Sequence, residues 1–553
     1  MRKSVAGVLL VLVVVAVFWP ALGGEFAMWD DHDTLHLNPR MRAPSWSSVG
    51  YYWTHQQEGL YVPMTYTAWS GIAAIAQREA PDSLGGWLRP GPFKAFNVGV
   101  HAGAVVLVYL ILGRLLSGTE ASTGRQQLGA LAGAMLFAVH PVQVEAVAWT
   151  SGTKDLLCGG FSLLAIWQYL LYAQSAQSGS PRRWHYVGGL LAVALAMLSK
   201  PTAMVTPAIV LAIDVLLVRR SVKSSLKALW PWFVLSLGCA VVAKLAQPAE
   251  WVYRPPLWAR PMIAMDALAF YLYKLGWPVG LCVDHGRRPD VVMGQWWIWA
   301  TWLVPAGVGL GLWTWRRQWP MGLAAGAVFV LGLAPLLGLV TFLFQFLSTV
   351  AEHYLYLPML GVAMAGGWLA MRLPQRFGRM ACVGVLGVLS LMSFRQCGVW
   401  QDSYSLFAHA ITVNPGSSAS YNNIATLLSH EAGLMHARGQ SAEARAALQL
   451  AEAHLLKAVE IKPDYSTAYI NLARTARKLG RADDEVAYLG RAIEIESGRN
   501  KSDWDLPALR TQLAHLMLRR GRVAEAQEQL RIVLGQDPTH RGALQLMSAA
   551  QIE

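Results

Sequence analysis

Residues 94–116 read KAFNVGVHAGAVVLVYLILGRLL, a run long and apolar enough to cross a bilayer as one helix. Comparable runs, of the roughly 17 to 25 residues that a span needs, fall at 5–22, 127–147, 155–173, 184–199, 202–218, 227–246, 296–315, 321–346, 355–372 and 380–396. The 553-residue chain is 54% apolar and 14% charged, with a mean hydropathy of +0.34, which is more apolar surface than water tolerates. Beyond residue 397 the long apolar runs stop and an ordinary charged, amphipathic sequence begins. The predicted fold class is all-α: a polytopic membrane helical bundle of about 11 spans plus interfacial helices, then a helical-repeat α-solenoid. The predicted domains are 1–397 in the membrane and 398–553 outside it.

Charge orients the spans. With Arg2 and Lys3 on the cytoplasmic side, the turns facing the same way hold Arg114 and Arg125, Arg182 and Arg183, Arg219 to Lys227, Arg316 and Arg317, and Arg372 to Arg379. The opposite turns hold Asp30, Asp31, Asp33, Glu145, Asp155, Asp284, Asp290 and Glu352. This bias of Lys and Arg toward one side predicts acidic loops and a C-terminal domain outside the cytoplasm, periplasmic in a bacterial inner membrane. The stretch 262–281, with Asp266 and Lys274, reads as a helix that does not cross. The run at 5–22 reads as a retained span rather than a cleaved signal, because it is long and its cleavage site weak. A net charge of +13 is thereby a property of loops beside a membrane, and no nucleic-acid partner is expected. Five cysteines without close pairs suggest neither a disulfide framework nor a zinc site.

In the C-terminal part Gly439-Gln440, Gly480-Arg481 and Gly521-Arg522 recur every 41 residues, each Gly followed nine positions later by Leu448, Leu489 or Leu530. First helices are marked by Tyr421-Asn-Asn-Ile-Ala and Tyr469-Ile-Asn-Leu-Ala, and second helices end at Pro463 and Pro538. This is the tetratricopeptide pattern, whose usual period is about 34 residues. The extra residues fall in a lengthened second helix of the first repeat and in the loop from Ser497 to Trp504. Stacked helix pairs leave a concave face suited to a peptide, so the domain reads as a recruiter of a protein partner.

Polar residues concentrate at one membrane face. Trp29-Asp30-Asp31-His32-Asp33 follows the first span, where a carboxylate beside a low-dielectric boundary can serve as a base. His140-Pro141 with Glu145, Lys154-Asp155, Ser199-Lys200-Pro201, Asp284-His285-Gly286-Arg287-Arg288 and Glu352-His353-Tyr354 lie on the same side. Singly, such residues are interfacial anchors. Together, Lys154, Lys200, Arg287, Arg288 and His353 supply cations for a lipid-linked phosphate, opposite carboxylates able to deprotonate a hydroxyl. His140 with Glu145 or Glu352 has no dedicated metal-site spacing, and no metal is expected.

These motifs resemble a family. Trp29-Asp30-Asp31 with Asn38-Pro39, His140-Pro-Val-x-Val-Glu-Ala-Val-Ala-Trp, Lys154-Asp155-Leu-Leu, Ser199-Lys200-Pro201, Ala351-Glu-His-Tyr-Leu-Tyr-Leu-Pro and Trp400-Gln-Asp-Ser-Tyr-Ser-Leu-Phe are similar to bacterial relatives of the transmembrane and tetratricopeptide-repeat (TMTC-type) O-mannosyltransferases. The resemblance covers almost the whole chain. It implies a GT-C glycosyltransferase that moves a sugar, with inversion, from a polyprenyl-phosphate donor to a Ser or Thr hydroxyl of an acceptor protein. It assigns the base to Asp30, then Asp31, and donor contacts to His140, Glu145, Lys154, Asp155, Lys200, Arg287, Arg288, Glu352, His353 and Tyr354. No cofactor is implied beyond the lipid-linked sugar as co-substrate. Two departures stand out: His353 replaces a frequent Arg, a pH-dependent cation in place of a permanent one, and Gln143 replaces a frequent His. A non-enzymatic envelope scaffold leaves the clustered cations unexplained, and against a transporter the apolar spans carry few ionisable residues near their midpoints.

Overall fold

The computed structural model describes residues 3–247, 254–499, 502 and 504–550, so Arg2 and residues 500, 501 and 503 of the predicted repeat loop lie outside the described residues. The chain is all-helical, its only bridges among the described residues being Gln57 with Leu60 and Gln77 with Leu88. Two compact units divide it, Met1–Leu406 and Phe407–Glu553. The division falls beyond the predicted 397 because the intervening residues bond to the first loop. Gln401 Nε2 donates to the Pro20 carbonyl (2.6 Å), Glu25 N–H to the Gln401 carbonyl (2.7 Å) and Met28 N–H to Ser403 Oγ (2.8 Å).

Each of the eleven predicted segments carries a helix. Five are long and apolar enough to cross a membrane: Pro90–Ser117, Thr150–Gln177, Pro201–Val218, Val222–Ala246 and Arg379–Trp400. A sixth is counted if Thr123–Val139 and Pro141–Ala148, bent by 52°, form one span. Ser4–Val17, Ile298–Thr314 and Pro320–Leu336 are shorter apolar helices. The 262–281 stretch becomes the helix Ala259–Gly276. The chain is a multi-pass membrane protein.

Prolines set the breaks. Pro141 has no N–H to continue the Thr123–Val139 helix and forces His140 extended (ψ 131°). Pro201 does the same to Lys200 (φ −157°, ψ 133°) at the end of Arg183–Ser199. The carbonyls freed there, and at a further break where Trp149 is extended, are met by side chains. His101 bonds the carbonyl of Ala138 (3.0 Å), Ser393 that of Val139 (2.7 Å), Asn97 that of Trp149 (2.8 Å), Thr65 that of Ser199 (2.9 Å), and Lys94 that of Ala148. In a low-dielectric interior each carbonyl left bare would cost on the order of 1–3 kcal/mol.

The Thr123–Val139 and Met359–Arg372 helices meet through small residues. A Cβ on Gly133 would lie 2.4 Å from the Ala363 carbonyl, and one on Gly367 would lie 2.6 Å from the Gly129 carbonyl, so only glycine permits this approach.

In the second unit the pairs Ser418–Ala437 with Ser441–Ile461, Ser466–Lys478 with Ala482–Ser497, and Leu506–Leu518 with Val523–Gln536 form three repeats. The turn glycines Gly439, Gly480 and Gly521 all hold positive φ (80°, 77°, 71°), the left-handed conformation that ends one helix and starts its partner. The second helix of the first repeat is the long one, 21 residues against 16 and 14 in the next two. Leu489, Leu513 and Leu530 share one core, and Asn471 donates to Asn422 (2.9 Å) between repeats.

Gly133→Leu is expected to lower the unfolding temperature in detergent by a clear margin, with a cost above about 3 kcal/mol. Gly113→Leu, at a glycine with nothing within 4 Å, serves as control; equal melting of the two variants would refute the close-packing account.

Candidate functional site

The site is built at the helix breaks. Trp149 is extended (ψ 131°), the short turn Thr150–Gly152 follows, and the helix Thr153–Gln177 starts with Lys154-Asp155 in its first turn. Asn97 fixes this turn twice, donating to the Trp149 carbonyl and accepting from Thr153 Oγ1 (2.6 Å). Opposite it, the extended backbone at Lys200 lets its Nζ reach both oxygens of Asp155 (2.7 and 2.9 Å).

The first loop docks on the same turn, and its two aspartates separate into different roles. Asp31 is fully buried, its oxygens accepting from Ser151 N–H (2.8 Å) and Ala27 N–H (3.0 Å). Burial pushes its carboxyl above the ordinary value, opposed by the nearby Lys94 ammonium and these donors. Asp30 keeps a side chain 21% exposed and accepts from Lys154 Nζ at 3.2 Å.

Asp30, Lys154, Asp155, Lys200, His353 and Tyr354 line one open cavity of about 810 Å³. Trp149 flanks Lys154 and Tyr354 flanks Lys200, each ammonium 5.5 Å from the ring centre. The other wall is apolar: Met204, Ala243, Leu336, Phe342, Leu343 and Phe344. One cavity therefore joins two ammonium groups, a part-exposed carboxylate and a greasy flank, the arrangement that suits a lipid carrying a phosphate.

Glu145 stands behind the cavity and orients His353, accepting from its N–H (3.0 Å) and pairing with its Nδ1 (2.9 Å). Glu352 is buried in an ion pair with His285. His140 is buried, with Nε2 against the Leu275 carbonyl (3.2 Å). Arg287 and Arg288, expected among the cations, have acidic partners of their own away from this cavity lining. Arg287 is held by both oxygens of Asp266 (2.6 Å each) and Arg288 by Asp290 (2.8 Å), and neither lines the cavity.

Lys94, Asn97 and His101, which brace the breaks, were not singled out in the sequence. Their i, i+3, i+7 spacing puts them on one face of an otherwise apolar helix, and that pattern was the available signal. Among the described residues no group of three or more His, Cys, Asp or Glu is arranged to hold a metal ion.

The fold and site define a polytopic membrane protein with a phosphate-suited cavity and a helical-repeat unit, and residues 93–246 match the family described as dolichyl-phosphate-mannose-protein mannosyltransferase. That match contains Lys154, Asp155 and Lys200. Over most of its length the chain is similar to TMTC-type protein O-mannosyl-transferases. It is 24% identical to human protein O-mannosyl-transferase TMTC4 over 485 residues, covering 74% of this chain and 62% of the relative. Identity to mouse TMTC3 is 23% over 534 residues, 87% of this chain and 54% of the relative. Identity to Drosophila Tmtc2 reaches 36% over 121 residues, 22% and 12% of the two chains. The chain thus spans about three-fifths of the length of human TMTC4 and about half that of mouse TMTC3. A tetratricopeptide-repeat protein of Thermus thermophilus aligns with 45% of this chain and 98% of its own, at 18% identity and a TM-score of 0.22. That similarity is too low to bear on the fold, which rests on the helix pairs themselves.

Two predictions follow from the pairing. Asp31→Asn presents an NH2 where a backbone N–H now donates and is expected to cost about 1–3 kcal/mol. Asp30→Asn should change the melting temperature much less; equal losses in thermal unfolding would contradict the division of roles. The second concerns pH. Burial alone drives His285 toward its neutral form, but Glu352, with Cys282, outweighs it and holds the imidazolium up to about 10 against an ordinary 6.5. Burial likewise raises Glu352, and His285 overcomes it to hold that carboxyl below its ordinary 4.5. The His285 contribution is whole below 6.5 and lost as pH rises through 10, and the Glu352 contribution is whole above 4.5 and lost as pH falls below it. The melting temperature should peak between these limits, and His285→Gln should flatten the alkaline decline; an unchanged alkaline slope would discount the pair.

Proposed function

We propose that this protein is an inverting glycosyltransferase that moves a sugar from a polyprenyl-phosphate-linked donor to a Ser or Thr hydroxyl of an acceptor protein. The observation that carries this reading is the single cavity holding Asp30, Lys154 and Lys200 beside an apolar wall. Its support from sequence is the similarity to protein O-mannosyl-transferases over most of the chain.

In this reading the prenyl chain lies along Met204, Ala243 and Leu336, and the sugar sits between Trp149 and Tyr354. Each lysine is parked on a carboxylate in the free site, Lys154 on Asp30 and Lys200 on Asp155. An arriving phosphate competes for both ammonium groups, and as Lys154 turns to it, Asp30 is released to act as base. The acceptor oxygen then attacks the anomeric carbon from the face opposite the phosphate, forming the new C–O bond. Its proton passes to Asp30 while the bond from the anomeric carbon to the phosphate oxygen breaks. The electron pair leaves with the polyprenyl phosphate, whose charge Lys154 and Lys200 meet. Attack opposite the leaving group inverts the anomeric centre. Two lysines perform the neutralisation for which other phosphate sites use a metal ion, so the reading includes no metal.

The repeats supply the acceptor, their stacked helix pairs offering a peptide-binding face. By the Lys and Arg bias of the loops, the cavity opens outside the cytoplasm, on the periplasmic side of a bacterial inner membrane.

Mass spectrometry of envelope and secreted proteins from cells with the wild-type gene, a deletion or the Asp30→Asn variant tests the proposal. A hexose or related mass on Ser or Thr peptides should disappear in the deletion and fall by about 10²- to 10⁴-fold in rate in the variant, while transfer by wild-type membranes persists in EDTA. An unchanged glycoproteome in the deletion would overturn the reading in favour of a scaffold.

A further inference from the structure

The helices that flank the cavity carry a second polar feature at their far ends. Pro201–Val218 and Pro320–Leu336 pack along each other. Their near ends give Met204, Pro335 and Leu336 to the cavity described above. About 20 Å away along the helix axes, Val215, Leu216, Pro320 and Leu323 join Arg219, Arg316 and Arg317 around an open cavity of about 760 Å³. No carboxylate lines it.

The local backbone is arranged to produce this. Asp214 is fully buried and accepts from Tyr169 Oη (2.7 Å) and Arg220 Nη1 (3.3 Å), while Arg220 N–H returns to the Asp214 carbonyl (3.2 Å). Of two adjacent arginines, Arg220 is consumed in holding this turn. Arg219 is put into the left-handed region (φ 62°), a conformation a non-glycine residue adopts at a cost of about 1 kcal/mol or more, and its side chain is exposed at the cavity. Trp313 and Trp315, beside Arg316 and Arg317, are 56% and 59% exposed, as indole rings are at the headgroup level of a bilayer. Basic loops on one side of a membrane protein follow from orientation alone, and a single arginine there simply reaches to water. Here, however, guanidinium groups from loops about a hundred residues apart converge on one cavity with apolar walls.

We propose that this cavity binds the phosphate headgroup of an anionic phospholipid in the leaflet opposite the sugar-transfer cavity, its acyl chains lying against Val215, Leu216 and Leu323. Three positive charges meet the phosphate and no acidic residue of the lining opposes it. The proposal stands apart from the transfer reaction and does not depend on it.

The test uses the full chain in a neutral detergent, titrated with phosphatidylglycerol or phosphatidylcholine and followed by native mass spectrometry and thermal unfolding. Phosphatidylglycerol should bind saturably, at least about tenfold more tightly than phosphatidylcholine, and raise the unfolding temperature. Arg219→Gly, which suits the left-handed backbone, combined with Arg316→Gln and Arg317→Gln, should abolish that preference. Arg219→Lys, Arg316→Lys and Arg317→Lys together should keep it and show that the chain still folds with both loops altered. Equal binding of the two lipids, an undiminished preference in the triple variant, or equal protection by inorganic phosphate would overturn the proposal. So would a response to polyprenyl phosphate without one to phosphatidylglycerol.

Discussion

A backbone carbonyl inside a bilayer has no water to turn to, and the membrane unit is organised around that constraint. Its helices break where proline follows His140 and Lys200, and the chain is extended again at Trp149. Each break frees carbonyls, and buried side chains from neighbouring helices collect them: Lys94, Asn97 and His101 from one helix, Thr65 and Ser393 from others. The breaks are also where the cavity-lining Lys154, Asp155 and Lys200 stand. The break before Thr153 starts a new helix with Lys154 in its first turn and the extended backbone at Lys200 lets it reach Asp155, so both lysines line one cavity and the braces that make the breaks tolerable also position it.

Charge follows the same economy. Nearly every buried or half-buried ion at the site face has an assigned opposite: Asp30 with Lys154, Asp155 with Lys200, Glu145 with His353, Glu352 with His285, Asp266 with Arg287. The pairs differ in what they leave available. Glu352 and His285 are both enclosed and serve the fold, whereas the Asp30 and Lys154 pair opens on the cavity and can be exchanged for a ligand. Under the proposed function, a phosphate taken by the lysines would convert a stabilising contact into a catalytic one, since freeing Lys154 also frees Asp30.

The repeat unit obeys simpler rules. Its first helices close through backbone bonds across the turns, Gln440 N–H to the Met435 carbonyl (3.0 Å), Arg481 to Ala476 (2.9 Å) and Arg522 to Met517 (3.0 Å), and left-handed glycines set each helix pair, leaving leucines and alanines to fill the space between pairs. Its regularity comes from local sequence, which is why its turns sit at the spacing the sequence displays.

The sequence by itself determined the helical class, the membrane character, the repeat turns at Gly439, Gly480 and Gly521, and the set of motifs from which the site is assembled. These depend on apolar run length, proline and glycine, all local properties of the chain. Only the tertiary structure decided which members of those motifs meet. Adjacent in sequence, Asp30 and Asp31 part company because one points at a cavity and the other at the backbone of Ser151. Arg287 and Arg288 carry the same charge as Lys154 and Lys200, and all four pair with aspartates, but only the lysines line the cavity. Lys94 looks misplaced in an apolar span until the Ala148 carbonyl is set beside it. Which partner a charge finds depends on distances across the bundle, and spacing along one chain does not encode them.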